Sequence, residues 1–189
     1  MRQLTILEMT DEWFEEMCDE LLNLFWRYLF ALQNAFSLEL SSVVEPTAVT
    51  MGGKTFKFPL ACELYRLMKY AKGEWSAPEE FHDILQSVIE TVWSRPFALS
   101  DMEITWSTFE QEKVGFLVSA AVTRKNLDDG ADMNAAELAK LIGLSPTGVT
   151  KMINEGKIKA EKEKAGWVIP NEEAKRIVKE RGFTVETSN

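Results

Sequence analysis

The sequence predicts a mainly α fold of the α+β class. A helical N-terminal domain with a small β-hairpin or sheet is followed by a C-terminal pair of capped helices and a two-stranded wing. Three observations carry this. Apolar residues recur at helical spacing over most of the first 126 residues. Two short alternating runs are joined by Gly52-Gly53, the signature of a tight hairpin. Between Asn134 and Pro170, helix caps, helix stops and an alternating tail follow one another at the spacing of two short helices and a β-ribbon.

The first helix is expected from Thr10 toward Leu40, with Asp11 and Glu12 well placed against the positive end of its dipole. It carries Trp13, Phe14, Phe25, Trp26, Tyr28, Phe30 and Phe36. Its stretch Leu21–Phe36 is apolar on nearly every face, yet holds Arg27 and is shorter than the ~20 residues a bilayer span requires. A helix buried on most sides, or packed against a second copy of itself, is expected instead. Thr47–Met51 and Lys54–Phe58 are the hairpin strands. Pro59–Lys72 is the next helix, with Leu60, Leu64, Leu67, Met68 and Ala71 on one stripe and Gly73 at its end. Ser76 and Glu79 have the spacing of a capping box that opens a helix reaching Trp93, before Pro96. Met102, Ile104 and Trp106 alternate like a strand that joins the hairpin. Ser107 and Glu110 cap a further helix with Phe109, Val114, Leu117, Val118, Ala121 and Val122 as its apolar positions. Asp128-Asp129-Gly130 marks a linker at 127–132, which closes an N-terminal domain of residues 1–126.

Residues 133–183 read as a module of their own. Asn134 caps a helix that carries Leu138, Ala139, Leu141 and Ile142 on its inner side, and Glu137 reaches back to the cap's N–H. Gly143 stops that helix where a left-handed backbone costs least, and Leu144 fills the turn. Ser145 caps a second helix with Pro146 at its first position, where the missing N–H is no loss. Val149, Met152 and Ile153 face inward, Gly156 ends the helix, and Ala139 is the small residue at the helix crossing. Ile158 begins the wing, and Trp167 and Ile169 close it over the helices. Asn171 caps a last helix with Ala174, Ile177 and Val178 inward; Lys179 and Arg181 suit its negative end, and Gly182-Phe183 form its stop. The pattern is that of a winged helix-turn-helix, with residues 184–189 as a tail.

A formal net charge of −9 argues against a general nucleic-acid coat or a membrane-surface binder. The charge is unevenly spread. Residues 1–131 carry 11 Lys/Arg against 21 Asp/Glu, a net −10, whereas residues 132–189 carry 10 against 9, a net +1. An acidic body joined to a near-neutral module implies separate jobs, oligomerisation or sensing for the body and binding for the module. Cys18 and Cys62 lack metal-ligand spacing and read as buried reduced thiols. The chain reaches Glu8, Asp11 and Glu12 before any apolar run, so no secretory signal is read and a cytoplasmic, non-membrane protein is expected.

Signals of catalysis are weak. Gly53-Lys54-Thr55 has the end of a phosphate-binding loop, but position 48, where that motif needs its first glycine, is Ala48, and the following residues continue as a strand. His82 is the only histidine, and one histidine makes neither a metal site nor a relay without partners. Glu15, Glu16, Asp19 and Glu20 are the solvated face of an amphipathic helix. No catalytic residue, metal or cofactor is expected. The aromatic residues of the first helix, with Trp75, Trp93 and Trp106, are read as core, with a ligand pocket or a self-association surface as further uses.

Three features of the module carry a family resemblance: Leu141 to Ser145 (Leu-Ile-Gly-Leu-Ser) at the turn, Glu155-Gly156 after the second helix, and Trp167-Val168-Ile169-Pro170 closing the wing. Residues 133–183, about a quarter of the chain, resemble the excisionase-type helix-turn-helix family, relatives of the DNA-binding domain of MerR-type regulators. The resemblance implies that the second helix enters the major groove of double-stranded DNA. Its outward residues, Thr147, Gly148, Thr150, Lys151 and Asn154, would then meet base edges, and Ser145 with the helix N-terminus would meet a phosphate. Lys159, Lys162 and Lys164 would bring the wing to the backbone or minor groove. The sequence departs from the family at Pro146, where a large polar residue is usual, and at Ala165-Gly166, where a basic pair is usual. Glu161 and Glu163 also alternate with the wing lysines. One such module binds weakly, because phosphate contacts supply most of the affinity. A homodimer formed through the N-terminal domain would restore it. The expected function is a sequence-specific, dimeric transcriptional regulator of bacterial or phage/mobile-element origin. The alternative is a protein-interaction or phage architectural/packaging protein that uses the helix-turn-helix for docking to a protein partner.

Overall fold

The computed structural model describes residues 4–36, 48–51, 53–93, 113–164 and 166–183. Among them are seven α-helices: α1 (Asp11–Phe36), α2 (Pro59–Ala71), α3 (Phe81–Trp93), α4 (Lys113–Asp128), α5 (Ala135–Ile142), α6 (Pro146–Asn154) and α7 (Asn171–Glu180). A 3-10 turn, Ile6–Glu8, precedes them. Strands β1 (Val49–Met51) and β2 (Lys54–Phe56) form one antiparallel pair; β3 (Met133–Asn134), β4 (Glu161–Glu163) and β5 (Gly166–Ile169) form a second antiparallel sheet in the order β3-β5-β4. The protein is mainly α, of the α+β class. No helix among the described residues is long and apolar enough to cross a membrane. The expected strand at Met102, Ile104 and Trp106 and the cap at Ser107 and Glu110 lie outside the described residues, as do Leu40, Thr47, Gly52 and the tail 184–189.

Contacts gather the chain into two compact units. One is Thr10–Tyr65; the other joins the N-terminal residues through Met9 to everything from Arg66 onward. In the first unit Thr10 caps α1, its Oγ1 accepting the Trp13 N–H at 3.1 Å. Phe14 on α1 meets Phe56 of β2 edge-on at 6.4 Å and Tyr65 of α2 at 5.2 Å, and Phe56 lies 5.1 Å from Tyr65. Lys54 Nζ sits 4.9 Å from the centre of the Tyr65 ring, with Asp11 and Glu15 at 3.5 and 3.4 Å. The Gly-Lys-Thr run is therefore a strand, its Thr55 hydroxyl 3.1 Å from that of Thr50 across the pair. Burial, then the neighbouring Asp19 charge, pushes the Cys18 thiol up to about 12, which keeps it neutral.

In the second unit α3 begins at Phe81, five residues after Ser76. The expected capping box does not open it. Phe81 donates its N–H to Pro78 O at 3.1 Å, and its buried ring packs 5.6 Å from Tyr70, so the start of the helix follows the burial of that ring. Helix α4 is buried on nearly every side, from Val114 to Leu127. Residues 127–132, expected to be a linker, are tied in. Leu127 and Asp128 belong to α4, and Leu127 is fully buried. The Arg124 guanidinium pairs with Asp128 at 3.0 Å, both side chains nearly buried, and Asp128 also accepts from the Tyr70 hydroxyl at 2.7 Å. A buried ion pair of this kind is tolerated only when further hydrogen bonds complete it, as Tyr70 does here.

Candidate nucleic-acid interface

Helices α5 and α6 are built from local bonds. Asn134 Oδ1 accepts from the N–H groups of Ala136 and Glu137 at 2.9 and 3.0 Å, and Glu137 returns a carboxylate oxygen to the Asn134 N–H at 2.8 Å. Leu138, Ala139, Leu141 and Ile142 are buried. Gly143 adopts φ +68°, and Leu144 N–H closes the end of α5 on Ala139 O at 3.0 Å. Ser145 Oγ accepts the Gly148 N–H at 3.1 Å, with Pro146 at the first helical position. Val149 and Ile153 turn inward, and Met152 is half-buried. Gly156, at φ +71°, releases the chain from α6.

The turn has a partner far away in sequence. Leu7 of the 3-10 turn lies over Gly143, where an added Cβ would stand 2.6 Å from Leu7 Cδ1. Ile6 and Met9 on either side are buried. Residues 5–9 thus belong to the same unit as the helix-turn-helix.

The wing gains an edge that the sequence reading missed. Met133 pairs with Ile169 and Asn134 with Val168, so β5 is the middle strand of three. Two residues are too few to show an alternating pattern. Across the other edge Lys162 faces Trp167, its Nζ 5.7 Å from the indole ring. Asn171 does not cap α7; Pro170 occupies that position. Asp132 Oδ1 already holds the Asn171 N–H at 2.9 Å, and the buried Asn171 amide donates to Leu127 O and Ala131 O at 2.8 and 3.0 Å. Asn171 is a tie between α7 and the end of α4. The Gly182-Phe183 stop is present, Phe183 N–H reaching Val178 O at 3.3 Å.

Of the nine expected contact residues, Ser145, Thr147, Lys151, Asn154, Lys159, Lys162 and Lys164 are exposed, and Gly148 and Thr150 are half-buried. Thr147, Lys151 and Asn154 stand at i, i+4 and i+7 and share one face of α6. The Lys151 side chain is 77% exposed. Two of the nine serve the helix itself. Ser145 caps it, and the Thr150 hydroxyl donates to Pro146 O at 3.0 Å. Capacity for outward hydrogen bonds on α6 therefore falls to Thr147, Lys151 and Asn154.

Three neighbours escaped the sequence reading. Glu155 stands between two lysines, 3.8 Å from Lys151 Nζ and 2.7 Å from Lys157 Nζ, and moderates the charge at the end of α6. Arg181 reaches back from the end of α7 to within 3.8 Å of Met152 Sδ and adds a cation beside α6. Glu173, nearly buried, accepts the backbone N–H of Lys159 at 2.9 Å and a two-pronged contact from Arg176 at 2.6 and 2.9 Å. The Arg176 bonds, and then the Lys159 amide, hold the Glu173 carboxyl down to about 2, from an ordinary 4.5. The depressed value means that its stabilising effect is complete above about pH 4.5 and fades as pH falls through about 2.

A separate groove of about 450 Å3 is lined by Leu85, Ile89, Val118, Val122, Asn126 and Lys140, among others. None of the nine expected contact residues lines it. No protein-family model, curated protein or solved structure matches the chain.

Proposed function

We propose that this protein is a sequence-specific DNA-binding regulator that places α6 in the major groove and the β4–β5 wing against the flanking backbone. The observation that carries the reading is the solvent-facing stripe Thr147, Lys151 and Asn154 on the second helix of a capped helix-turn-helix. Lys151 would serve a phosphate or a guanine edge, Asn154 an adenine edge, and Thr147 a backbone or base oxygen. Lys159, Lys162 and Lys164 would add phosphate contacts from the wing. The resemblance of residues 133–183 to excisionase-type modules supports the same reading and the bacterial or mobile-element setting. Glu155, Glu161 and Glu163 dilute the positive field around these lysines, so a single module is a weak binder and the working form is a dimer.

The test is selection of binding sites from a random duplex pool with the full-length chain at two salt concentrations, run beside Lys151→Ala. A two-fold-symmetric site is expected. Lys151→Ala should bind it roughly 5- to 100-fold more weakly, with a salt slope shallower by about 1. Folding should be unchanged, since the side chain is open to solvent. The docking reading takes its place if no site is enriched at either salt.

A further inference from the structure

We infer that Glu173 and Arg176 of α7 are positioning residues for the wing, setting its lysines against α6 before any DNA arrives. The inference rests on the DNA-binding reading for its functional consequence, but the clamp itself is a feature of the free protein.

After α6 the N–H groups of Glu155, Gly156 and Lys157 still bond back to carbonyls of that helix, and residues 158–160 then lead to β4 outside any helix or strand. The pairing of β5 with β3 holds one edge of the wing, and the β4 edge depends on how this short connector is held. Ile158 supplies one anchor, its side chain buried. The two backbone groups that flank it supply the rest. Arg176 Nη2 donates to Lys157 O at 3.2 Å, and Glu173 Oε1 accepts the Lys159 N–H at 2.9 Å. Ile158 fixes where the connector sits; the α7 pair fixes its rotation about that point. The pair is rigid because Arg176 and Glu173 bind each other through two parallel hydrogen bonds, and Glu180 holds the remaining prong of Arg176.

The arrangement also gives an acidic residue a use beside the wing lysines. Unpaired, a carboxylate there would repel phosphate. Paired, it holds an arginine against the connector as a brace, and the phosphate-facing cations are left to Lys159, Lys162 and Lys164. A wing fixed in advance contributes its contacts without the ordering cost that a loose one incurs on binding.

The experiment uses the full-length chain and two variants, Glu173→Gln and Arg176→Ala. Arg176 is half-exposed, so its removal leaves the core intact and covers the case in which Glu173→Gln fails to fold. Amide hydrogen exchange without DNA is the first readout. The segment 157–163 is expected to exchange about tenfold faster in both variants while α5 and α6 keep their protection. Duplex binding over a range of salt is the second. The slope of log affinity against log salt should become shallower by about 2, with affinity down about tenfold, because the wing lysines no longer act as a set. A purely structural role would lower the melting temperature and leave the salt slope alone. Arg176→Lys keeps the charge without the fork and should recover the slope only in part. If the exchange of 157–163 and the slope both match the parent protein, the positioning role is wrong. If the variants loosen the wing but the parent shows no salt-dependent duplex binding, the clamp stands and the DNA reading fails.

Discussion

The Thr10–Tyr65 unit and the helix-turn-helix both bury apolar side chains but differ in how their elements are fixed. The first is held by three rings, Phe14, Phe56 and Tyr65, drawn from α1, β2 and α2, with Lys54 laid over them. Phe14 lies far in sequence from the other two rings. The second is made of two helices, each of which begins with its own side-chain cap, Asn134 or Ser145, and ends at a left-handed glycine, Gly143 or Gly156. Ring packing is a large, diffuse free energy that is lost in one step; caps are small, separable increments. Capping keeps the helix ends of this module defined, as the proposed presentation of three side chains in register requires.

The comparison can be broken at several points, and the largest effect is expected at Phe14. Phe14→Ala should lower unfolding stability by about 3–5 kcal/mol in chemical denaturation. A loss below about 1 kcal/mol would mean that the three-ring cluster does not hold that unit. Gly143→Ala comes next. A left-handed backbone costs an L-residue about 1–2 kcal/mol, and the added Cβ would also clash with Leu7 Cδ1 at 2.6 Å. Combining it with Leu7→Ala should return the steric part and leave the backbone part, so a double-mutant cycle separates the two. Asn134→Ala, read by thermal melting, should cost about 1 kcal/mol, the usual worth of a cap. If it approached the Phe14 loss, the distinction between caps and ring packing would collapse.

What was legible follows the same division. Asn134 with Glu137, Ser145 with Pro146, and Gly143 with Gly156 act on backbone within a few residues, so the sequence contains both partners of each bond side by side. The identical signature at Ser76 and Glu79 misled, because burial of Phe81 against Tyr70 sets that helix start. Asn171 misled for a related reason. Its type suits a cap, but its side-chain amide is committed far upstream, to Leu127 O and Ala131 O. The stripe on α6 was legible from helical period alone. The Glu155 bridge needed the geometry of the α6 terminus, and the Glu173–Arg176 brace needed the path of the connector past α7. The Arg124–Asp128 pair has helical spacing, yet its burial and its Tyr70 partner are tertiary facts.

The cover of Leu7 over the Gly143 turn has a kinetic consequence. Residues 5–9 are synthesised well before α5 and its turn, and their seat is completed only when those have followed. The cap-built helices can form as they emerge, but their docking includes a contact of very high sequence separation, the kind that slows folding. A nascent chain therefore carries an unseated apolar turn, Ile6 and Met9 within it, until the later-made module arrives to receive it.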